Sequence, residues 1–365
     1  MPRLERIIVR NWRNIELQEL DFCPNMNCIC GDNGEGKTNL LDAIYYLSLT
    51  KSAFSTSDKF NYRSGEKELD ICGVYDMERG DIHSKFSIKS SASGEKKMLR
   101  DGKPYTRLSE HIGLLPIVMV SPNDSVLVSE GSEERRKFVS SVLSQINREH
   151  LVALQNYNRL LAQRNALLKS DKCSDDLLDS IDYNLDRLAN SIYRSRAALL
   201  DTLRPKVQDF YRQLSAGKES VDIKYSSDLD KGSLMDLLAD SRERDKMLRF
   251  TTCGVQRDDF LFLMNDSPIR KTGSQGQQKC FLVALKFAQY ELMKSRYGFP
   301  PILLLDDLFD KLDVHRTENL LQMVSGEDFG QIFLSDTNKL RVKEIIDKFT
   351  AQSCYYEVHN GVFSR

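Results

Sequence analysis

A glycine-rich loop near the beginning of the chain limits its fold more than any other feature. The loop reads Gly31-Asp32-Asn33-Gly34-Glu35-Gly36-Lys37-Thr38 and fits the pattern G-x-x-x-x-G-K-[ST]. The apolar-leaning segment Met26 to Cys30 before it predicts a strand, and Leu40, Leu41 and Ile44 after it have helical spacing. Because backbone N–H groups at such a strand–loop–helix junction point at anions, the sequence predicts a phosphate-binding P-loop in an α/β fold.

The residue types in the loop indicate its ligand. Gly34 and Gly36 let the backbone fold closely around a di- or triphosphate. Lys37 adds a positive charge for the terminal phosphates, and Thr38 offers a hydroxyl group to Mg²⁺. Together with Asn39, the loop forms the predicted nucleotide-binding segment, and we expect ATP and Mg²⁺ as cofactors.

A second motif is an apolar run that ends in two acids, Ile302-Leu303-Leu304-Leu305-Asp306-Asp307. Such a run predicts a buried parallel strand, and α/β sheets place ligands at the carboxyl ends of these strands. A buried carboxylate is costly unless it is satisfied, and Mg²⁺ bound to phosphate would satisfy it. We therefore assign Asp306 to Mg²⁺, mostly through water, and Asp307 to catalysis, where it polarises the attacking water.

A third motif, Ser274-Gln275-Gly276-Gln277, precedes the predicted helix from Gln278 to Lys294. A hydroxyl residue and a glycine at a helix N-terminus form either an anion site or an ordinary N-cap. The position upstream of Asp306 is the order found in the ATP-binding cassette (ABC) superfamily, in which this signature closes on the nucleotide of another subunit. One chain has one loop and one signature, so two complete sites require a homodimer. Ser274, Gly276 and Gln277 are therefore predicted nucleotide contacts.

Composition narrows the class of protein. The 365 residues are 41% hydrophobic and 29% charged, which is typical of a globular protein with one large or two smaller domains. The formal net charge of −1 argues against uniform coating of nucleic acid but permits a local basic face. The sequence has no membrane-length apolar run, no secretory signal core and no Cys/His pattern for zinc. We expect a cytoplasmic protein without a membrane partner.

The pattern changes along the chain and predicts two lobes. Short strands precede Asp124, helical spacing covers roughly residues 133–215, and the last third is again α/β. The helical stretch should break near Ser170 to Ser174 and be disturbed at Pro205. We predict an ATPase lobe formed by residues 1–124 and 250–365, with a helical lobe, residues 125–249, inserted in it.

Beyond these motifs, the chain resembles the RecF family of recombination-mediator ATPases, which are related to Rad50 and SMC heads. The resemblance covers nearly the whole length and includes the segments Val9 to Asn14, Gly31 to Asn39, Val120 to Asp124, Glu134 to Phe138, Tyr157 to Leu168, Gly254 to Asp259, Ser274 to Lys279, Asp306-Asp307 and Leu312-Asp313. The Tyr157-Asn158-Arg159 segment and the glutamine-rich signature are the discriminating parts, because most transport ATPases and SMC heads lack them.

The resemblance implies an ABC/SMC-like P-loop ATPase head, with a mixed sheet and a β-subdomain, and an inserted helical lobe. It implies an ATP-dependent homodimer on DNA with weak, DNA-dependent ATP hydrolysis. It also implies cooperation with RecR and RecO to load RecA at gaps and single-strand/double-strand junctions in DNA repair, replication, recombination and the SOS response.

Several positions depart from relatives. Ser121 lies near where many relatives have a lid glutamine, and Asp307 is shorter than the glutamate of transporters, which suits slow hydrolysis. Val255-Gln256 and Asp310-Lys311 replace the usual proline–histidine and serine–glutamate pairs. Asp336 or Thr337 stands where transporters place the histidine that senses the γ-phosphate, and both remain candidates.

Arg13, just after the first predicted strand, is a further candidate nucleotide contact. Candidate DNA-binding groups are Lys85, Lys89, Lys96, Lys97, Arg100, Lys103 and Arg107, then Arg135-Arg136-Lys137, then Arg159, Arg164 and Lys169. Each cluster either follows a phosphate backbone or is a solvated face, and Arg135 and Arg136 can instead pair with carboxylates. Without an aromatic-interleaved basic motif, we expect sequence-independent, salt-sensitive binding.

Three other functions compete with this interpretation. A generic SMC/Rad50-like DNA-tethering ATPase of another repair or defence system would need a long coiled coil or a nuclease domain. Neither fits between Ser125 and the strand that ends at Asp306. A module that uses ATP only to stabilise its fold would hydrolyse almost none, and a transporter motor would need a membrane segment.

Overall fold

The computed structural model describes residues 1–77, 82–170, 174–215, 217, 219–307, 329–346 and 353–365. In chain order its strands are β1 (Arg3–Trp12), β2 (Ile15–Asp21), β3 (Met26–Cys30), β4 (Glu68–Asp76), β5 (His83–Ser91), β6 (Lys96–Arg100), β7 (Lys103–Pro104), β8 (Ile117–Val120), β9 (Val221–Ser226), β10 (Asp259–Met264), β11 (Ser267–Pro268), β12 (Ile302–Leu305), β13 (Ile332–Asp336), β14 (Ser353–His359) and β15 (Val362–Ser364). Its α-helices are α1 (Lys37–Leu49), α2 (Val126–Ser129), α3 (Ser132–Ile146), α4 (Arg148–Leu168), α5 (Asp175–Ser215), α6 (Leu234–Leu248), α7 (Ile269–Thr272), α8 (Gln275–Tyr297) and α9 (Lys339–Ile346).

The chain divides into two compact units. The first unit is Met1–Asp124 with Leu282–Arg365, and the second is Ser125–Phe281. The division after Asp124 coincides with the predicted one, but the second division falls inside α8 and not at residue 249. The reason is strand pairing, because β10 pairs with β9 over its whole length and thereby holds residues beyond 250 in the second unit.

A mixed sheet forms the centre of the first unit. Its order is β15-β14-β3-β13-β12-β8, and β14, β3, β13, β12 and β8 are parallel. Strands β3, β8 and β12 are buried at every position, which explains their continuous apolar sequences. The carboxyl ends of β3, β12 and β13 therefore meet at one edge of the sheet, where the P-loop and the acid pair follow.

An antiparallel sheet completes the first unit, with the order β2-β1-β4-β5-β6-β7. The predicted Asp101-Gly102 turn joins β6 to β7, and both residues have positive φ angles. Helix α1 packs with both sheets through a common apolar core that contains Trp12, Leu40 and Ile44. The β-subdomain of the predicted head is thus present.

The second unit consists of long helices beside the three-stranded sheet β11-β10-β9. Helices α3, α4 and α5 occupy the region in which helical spacing predicts helices. Helix α5 continues through Pro205, where the sequence predicts a disturbance. Pro205 and Asp201, whose carbonyl loses its helical donor, are both exposed, so water can satisfy that carbonyl.

The remaining predictions about the fold concern two turns and two residue pairs. The Asn265-Asp266 and Asn360-Gly361 turns are present, with positive φ angles at all four residues. The Asp310-Lys311 and Leu312-Asp313 pairs lie outside the described residues. Across the described part of the chain, no helix is both long and apolar enough to cross a membrane.

Candidate nucleotide site

The P-loop connects the end of β3 to the start of α1, as the sequence predicts. Gly34 and Gly36 have φ angles of 87° and 117°, which side-chain-bearing residues rarely adopt. A Cβ atom on Gly36 would also lie 2.8 Å from the Asn14 amide nitrogen. The Lys37 ammonium is buried and donates hydrogen bonds to the carbonyls of Gly31 (2.7 Å) and Asp32 (2.9 Å). The loop and its lysine are therefore arranged around a compact space suited to phosphate.

The first acid of the β12 motif lies directly beside the loop. The Thr38 hydroxyl donates to the Asp306 carboxylate at 2.9 and 3.0 Å from its two oxygens. Burial and, to a smaller extent, the nearby charge of Asp307 raise the pKa of Asp306 to about 6. Hydrogen bonds from Ser335 and Thr38, together with the charge of Lys37, lower the pKa of Asp306 and only partly offset burial. The ionised form of a buried carboxylate with a raised pKa is stabilised by a nearby cation.

A serine on the neighbouring strand contacts both acids. The Ser335 hydroxyl donates to Asp306 Oδ1 at 2.7 Å and accepts the backbone N–H of Asp307 at 2.9 Å. Asp307 has a φ angle of 42°, which is unusual for a residue other than glycine. The sequence analysis missed Ser335, although its position at the end of an apolar strand beside β12 was a usable signal.

The donor set fits Mg²⁺ bound to a nucleotide. Thr38 and Asp306 provide hard oxygen atoms, and Mg²⁺ usually binds one or two such groups together with substrate phosphates and water. Among the described residues, no group of three or more His, Cys, Asp or Glu side chains could hold a metal ion. Thr38 and Asp306 are the residues that would hold Mg²⁺ together with a nucleotide.

The P-loop is braced by two segments that sequence reasoning did not connect to it. The Glu35 carbonyl accepts hydrogen bonds from the Asn14 side chain (3.0 Å) and from the backbone N–H of Gly361 (2.8 Å). The Glu35 carboxylate also accepts the backbone N–H of Asn360. The turn between β14 and β15 thus contacts the loop from a position more than 300 residues away in sequence.

Arg13 lies near the loop, but its charge already has a partner. The guanidinium donates to Asp42 at 2.5 Å and to Asn39 at 3.0 Å. Asp42 is fully buried, and burial raises its pKa, whereas Arg13 lowers it. In this arrangement Arg13 positions Asn39 and Asp42, so the structure gives it a bracing contact rather than a free charge directed at phosphate.

The signature motif lies in the second unit, at the start of α8. The Ser274 hydroxyl accepts the backbone N–H of Gln277 (3.3 Å), and the Gln277 side chain accepts the backbone N–H of Ser274 (2.7 Å). This reciprocal pair is a capping box. Ser274 and Gln275 are exposed, and Gly276 is half-buried. The motif therefore caps its helix and still presents its first residues to solvent.

The two candidate residues for γ-phosphate sensing are Asp336, the last residue of β13, and Thr337, which follows it. Asp336 is buried, and its side chain accepts the backbone N–H of Asn338 at 2.6 Å. Its carbonyl accepts the N–H of Gly31 at 3.4 Å, which ties β13 to the start of the P-loop. Thr337 is half-buried. Both residues lie at the sheet edge that carries the acids, and the choice between them stays a prediction. In the lid segment, the Ser121 N–H donates to Asp124 at 2.7 Å.

Many of the candidate DNA-binding residues have internal partners. Arg135 pairs with Asp259 at 2.8 Å, as its alternative interpretation predicts, and Arg136 donates to the Asp258 carbonyl. Arg164 is fully buried between Asp182 and Asp245, and Lys96 pairs with Asp58. The exposed cations of these clusters are Lys85, Lys89, Lys97, Lys103, Arg107, Lys137, Arg159 and Lys169. Within these clusters, the exposed cations stay the candidates for contact with DNA.

These features define a class. A P-loop whose threonine contacts an acid on a neighbouring parallel strand, in a chain that also exposes a serine–glycine signature at a helix N-terminus, is the arrangement of an ABC-type ATPase head. Comparison with solved structures supports this class at the level of fold. The Smc head domain from Pyrococcus furiosus superimposes with a TM-score of 0.60 over 100% of this chain and 96% of that chain, at 13% identity.

Closer relatives identify the family. The RecF/RecN/SMC N terminal domain family matches residues 3–352. The DNA replication and repair protein RecF of Bacteroides thetaiotaomicron is 42% identical over 99% of this chain and 98% of its own length. A structure of the recombination mediator protein RecF-ATP in the RecFOR pathway has a TM-score of 0.89 at 28% identity, covering 100% of this chain and 97% of that one. The chain therefore belongs to the RecF family, and the predicted family and fold class are confirmed.

Proposed function

We propose that this protein is an ATP-dependent recombination mediator that dimerises on DNA and helps to load a RecA-type recombinase during repair and replication. The observation that carries the proposal is the contact between the P-loop threonine Thr38 and the buried acid Asp306, in a chain whose signature serine Ser274 is exposed. The names of the relatives, DNA replication and repair protein RecF, support the biological setting. The ATP complex of the structural relative supports the nucleotide.

The phosphate chain of ATP would lie along the amides of the P-loop, residues Gly31 to Asn39. Lys37 would leave the carbonyls of Gly31 and Asp32 for the phosphate oxygens, because a charged acceptor is stronger than a carbonyl. Thr38 and Asp306 would hold Mg²⁺, which neutralises phosphate charge when bound. Asp307 would then orient and polarise the attacking water.

The proposed dimer depends on where the two parts of the nucleotide site lie within one chain. The P-loop and the acids belong to the first unit, and the signature belongs to the second. Ser274, Gly276 and Gln277 of each subunit would contact the γ-phosphate held by the other subunit. Hydrolysis would remove the group that both subunits bind, so the dimer would open. Turnover would be slow, because Asp307 is one methylene shorter than a glutamate.

DNA is the proposed macromolecular ligand, either double-stranded or at junctions with single strands, and RecR- and RecO-type mediators are the proposed protein partners. Exposed lysines on β5 and β6, such as Lys85, Lys89 and Lys97, would contact the phosphate backbone. Binding through such phosphate contacts should weaken steeply with salt, because each contact releases counterions from DNA. Asp70 and Glu95, which pair with Lys89 and Lys97, reduce the net positive charge of this surface. The proposed location is the cytoplasm, at the nucleoid.

Sedimentation of the purified chain with ATP and Mg²⁺, with and without DNA, tests the proposal. We expect ATP to convert a 41.9 kDa monomer into a dimer. Ser274→Arg should prevent the dimer and leave nucleotide binding intact, because the added side chain blocks the exposed signature without touching the P-loop. Thr272→Arg, at an exposed site just before the motif, is the matched control. A monomer under all conditions would refute the dimer mechanism.

The role of Asp307 in ATP hydrolysis is tested separately. Asp307→Asn should bind ATP and dimerise, but hydrolyse ATP far more slowly than the original chain. Equal rates would exclude Asp307 as the catalytic acid. If the original chain hydrolyses no ATP, the protein is a nucleotide-stabilised binding module instead.

A further inference from the structure

We propose that Ser335 is a positioning residue that sets the geometry of both acids of the nucleotide site. The inference rests on the proposed function, because it concerns the metal-binding and catalytic roles of Asp306 and Asp307. Ser335 lies on β13, between the strand that leads into the P-loop and the strand that carries the acids. It is fully buried, so its hydroxyl group is reserved for protein partners.

The hydroxyl group of Ser335 forms two hydrogen bonds, one as a donor and one as an acceptor. Its proton goes to Asp306 Oδ1 at 2.7 Å, and its oxygen accepts the N–H of Asp307 at 2.9 Å. The donated proton holds the Asp306 carboxylate in place, and both of its oxygens lie within hydrogen-bonding distance of the Thr38 hydroxyl, at 2.9 and 3.0 Å. The accepted N–H holds the backbone of Asp307 at the point where the chain turns away from the sheet.

The backbone conformation of Asp307 makes the second contact important. A φ angle of 42° is unfavourable for a residue with a side chain, so neighbouring contacts must hold it. The hydrogen bond to Ser335 is such a contact, and it determines the direction in which the Asp307 side chain leaves the backbone. Ser335 therefore links the position of the catalytic acid to that of the metal-binding acid.

Thr38 cannot replace Ser335 in positioning both Asp306 and Asp307. Both hydroxyl groups donate to Asp306, but Thr38 is also the proposed ligand of Mg²⁺. Of these two hydroxyl groups, that of Ser335 contacts the Asp307 backbone as well as Asp306, and it lies outside the P-loop. Removing its hydroxyl should disturb metal binding and hydrolysis while the amides and lysine that bind ATP remain in place.

The test compares Ser335→Ala, Ser335→Thr and Ser335→Cys with the original chain. Two quantities are measured: the affinity for a fluorescent ATP analogue in EDTA and across a Mg²⁺ titration, and the rate of ATP hydrolysis. For Ser335→Ala we expect the Mg²⁺ concentration for half-maximal effect to rise, and the hydrolysis rate to fall, by about 10- to 100-fold. Affinity in EDTA should not change. Ser335→Thr, which keeps the hydroxyl group, should restore both properties.

Ser48→Ala is the matched control, because Ser48 is a fully buried serine of the same unit whose hydroxyl lies 3.4 Å from the Ile44 carbonyl, away from the acids. It should leave the Mg²⁺ response unchanged. If Ser335→Ala does not fold, Ser335→Cys carries the test, since its thiol has similar size but donates weakly. An unchanged Mg²⁺ response and hydrolysis rate in the folded alanine or cysteine variant would overturn the inference alone. Absence of any Mg²⁺ effect in the original chain would overturn both the inference and the proposed function.

Discussion

Buried carboxylates have different partners at two sites of the molecule. In the second unit, Arg164 is fully buried and donates to Asp182 and Asp245 at 2.6 Å each, so both carboxylates have a guanidinium partner. At the nucleotide site of the first unit, Asp306 is also buried, and the side chains that donate to it among the described residues are the hydroxyl groups of Thr38 and Ser335. The nearby ammonium of Lys37 binds carbonyls instead. The Arg164 cluster neutralises its carboxylates internally, whereas the nucleotide site keeps a carboxylate that an external cation can bind.

The comparison distinguishes buried charges that are paired within the fold from a buried charge that can bind a ligand. A buried ion pair is already satisfied, and removal of one partner leaves an uncompensated charge. A buried carboxylate with neutral donors has a raised pKa and is costly until a ligand arrives. Substitutions in the two regions should therefore change protein stability in opposite directions.

Arg164→Leu should have the largest effect on stability. It leaves Asp182 and Asp245 buried without their shared guanidinium, and we expect the free energy of unfolding of the second unit to fall by about 3–5 kcal/mol. Chemical denaturation followed by circular dichroism measures this change. Arg212→Ala is the control, because Arg212 forms an exposed pair with Asp209 and should cost less than about 1 kcal/mol. Equal small effects would show that the buried network is not what stabilises the helices.

Asp306→Asn should give the opposite result for stability. Without nucleotide, the variant should be as stable as the original chain or more stable, because it removes a carboxylate that burial disfavours. Its ATP hydrolysis should fall by about 100-fold or more, because the metal loses its carboxylate ligand. Thermal melting and a phosphate-release assay give the two values. A clear loss of stability without nucleotide would contradict the contrast drawn here.

The pH dependence of Asp306 sharpens the same contrast. Its pKa is about 6 in the folded chain and near 3.8 when unfolded, so the folded state binds the extra proton between these values. Its unfavourable contribution to stability is therefore absent below about pH 4, grows as pH rises, and is complete above about pH 6, at up to about 3 kcal/mol.

Denaturation of the original chain and Asp306→Asn across pH 4.5 to 7 measures this contribution as the difference between the two stabilities. The difference should grow with pH. Mg²⁺-dependent ATP binding should weaken below about pH 6, because a protonated carboxyl group does not bind the cation. A stability difference that stays constant across this range would refute the assignment of the raised pKa to Asp306.

Gly361→Ala tests the weaker contacts that hold the P-loop. A Cβ atom at Gly361 would lie 2.4 Å from the Asn14 carbonyl oxygen, and φ is +77°. Gly65→Ala is a close control, since φ there is +86° but nothing lies within 4 Å. Both changes should cost about 1–2 kcal/mol through the backbone. Only Gly361→Ala should also weaken ATP binding, which titration with a fluorescent analogue measures. Equal ATP affinities would show that the turn does not position the loop.

The sequence predicted what depends on short-range patterns. The P-loop, the apolar strand before Asp306 and the turn at Asn360-Gly361 all have local signatures, and each is present. Helix α5 includes Pro205, and Asp201, whose carbonyl group loses its helical donor, is exposed to water. The burial of Arg164 was not predictable from a basic cluster, because its partners Asp182 and Asp245 come from other helices.

Contacts between distant parts of the sequence explain the remaining differences. Ser335 contacts Asp306 because β13 and β12 are adjacent in the sheet, and the sequence of neither strand indicates that order. The second unit boundary lies in α8 because β9 and β10 pair across an intervening helix. Local periodicity identifies elements, whereas strand order and side-chain partners depend on the whole chain.

The place of β3 in the sheet has a consequence for how the protein is made. Both neighbours of this strand, β13 and β14, come from the last tenth of the chain, and so does the turn that contacts Glu35. On the ribosome, the apolar strand and its loop emerge early and wait for partners through most of translation. Strand β3 and its P-loop therefore gain their neighbours in the sheet only after β13 and β14 have been synthesised.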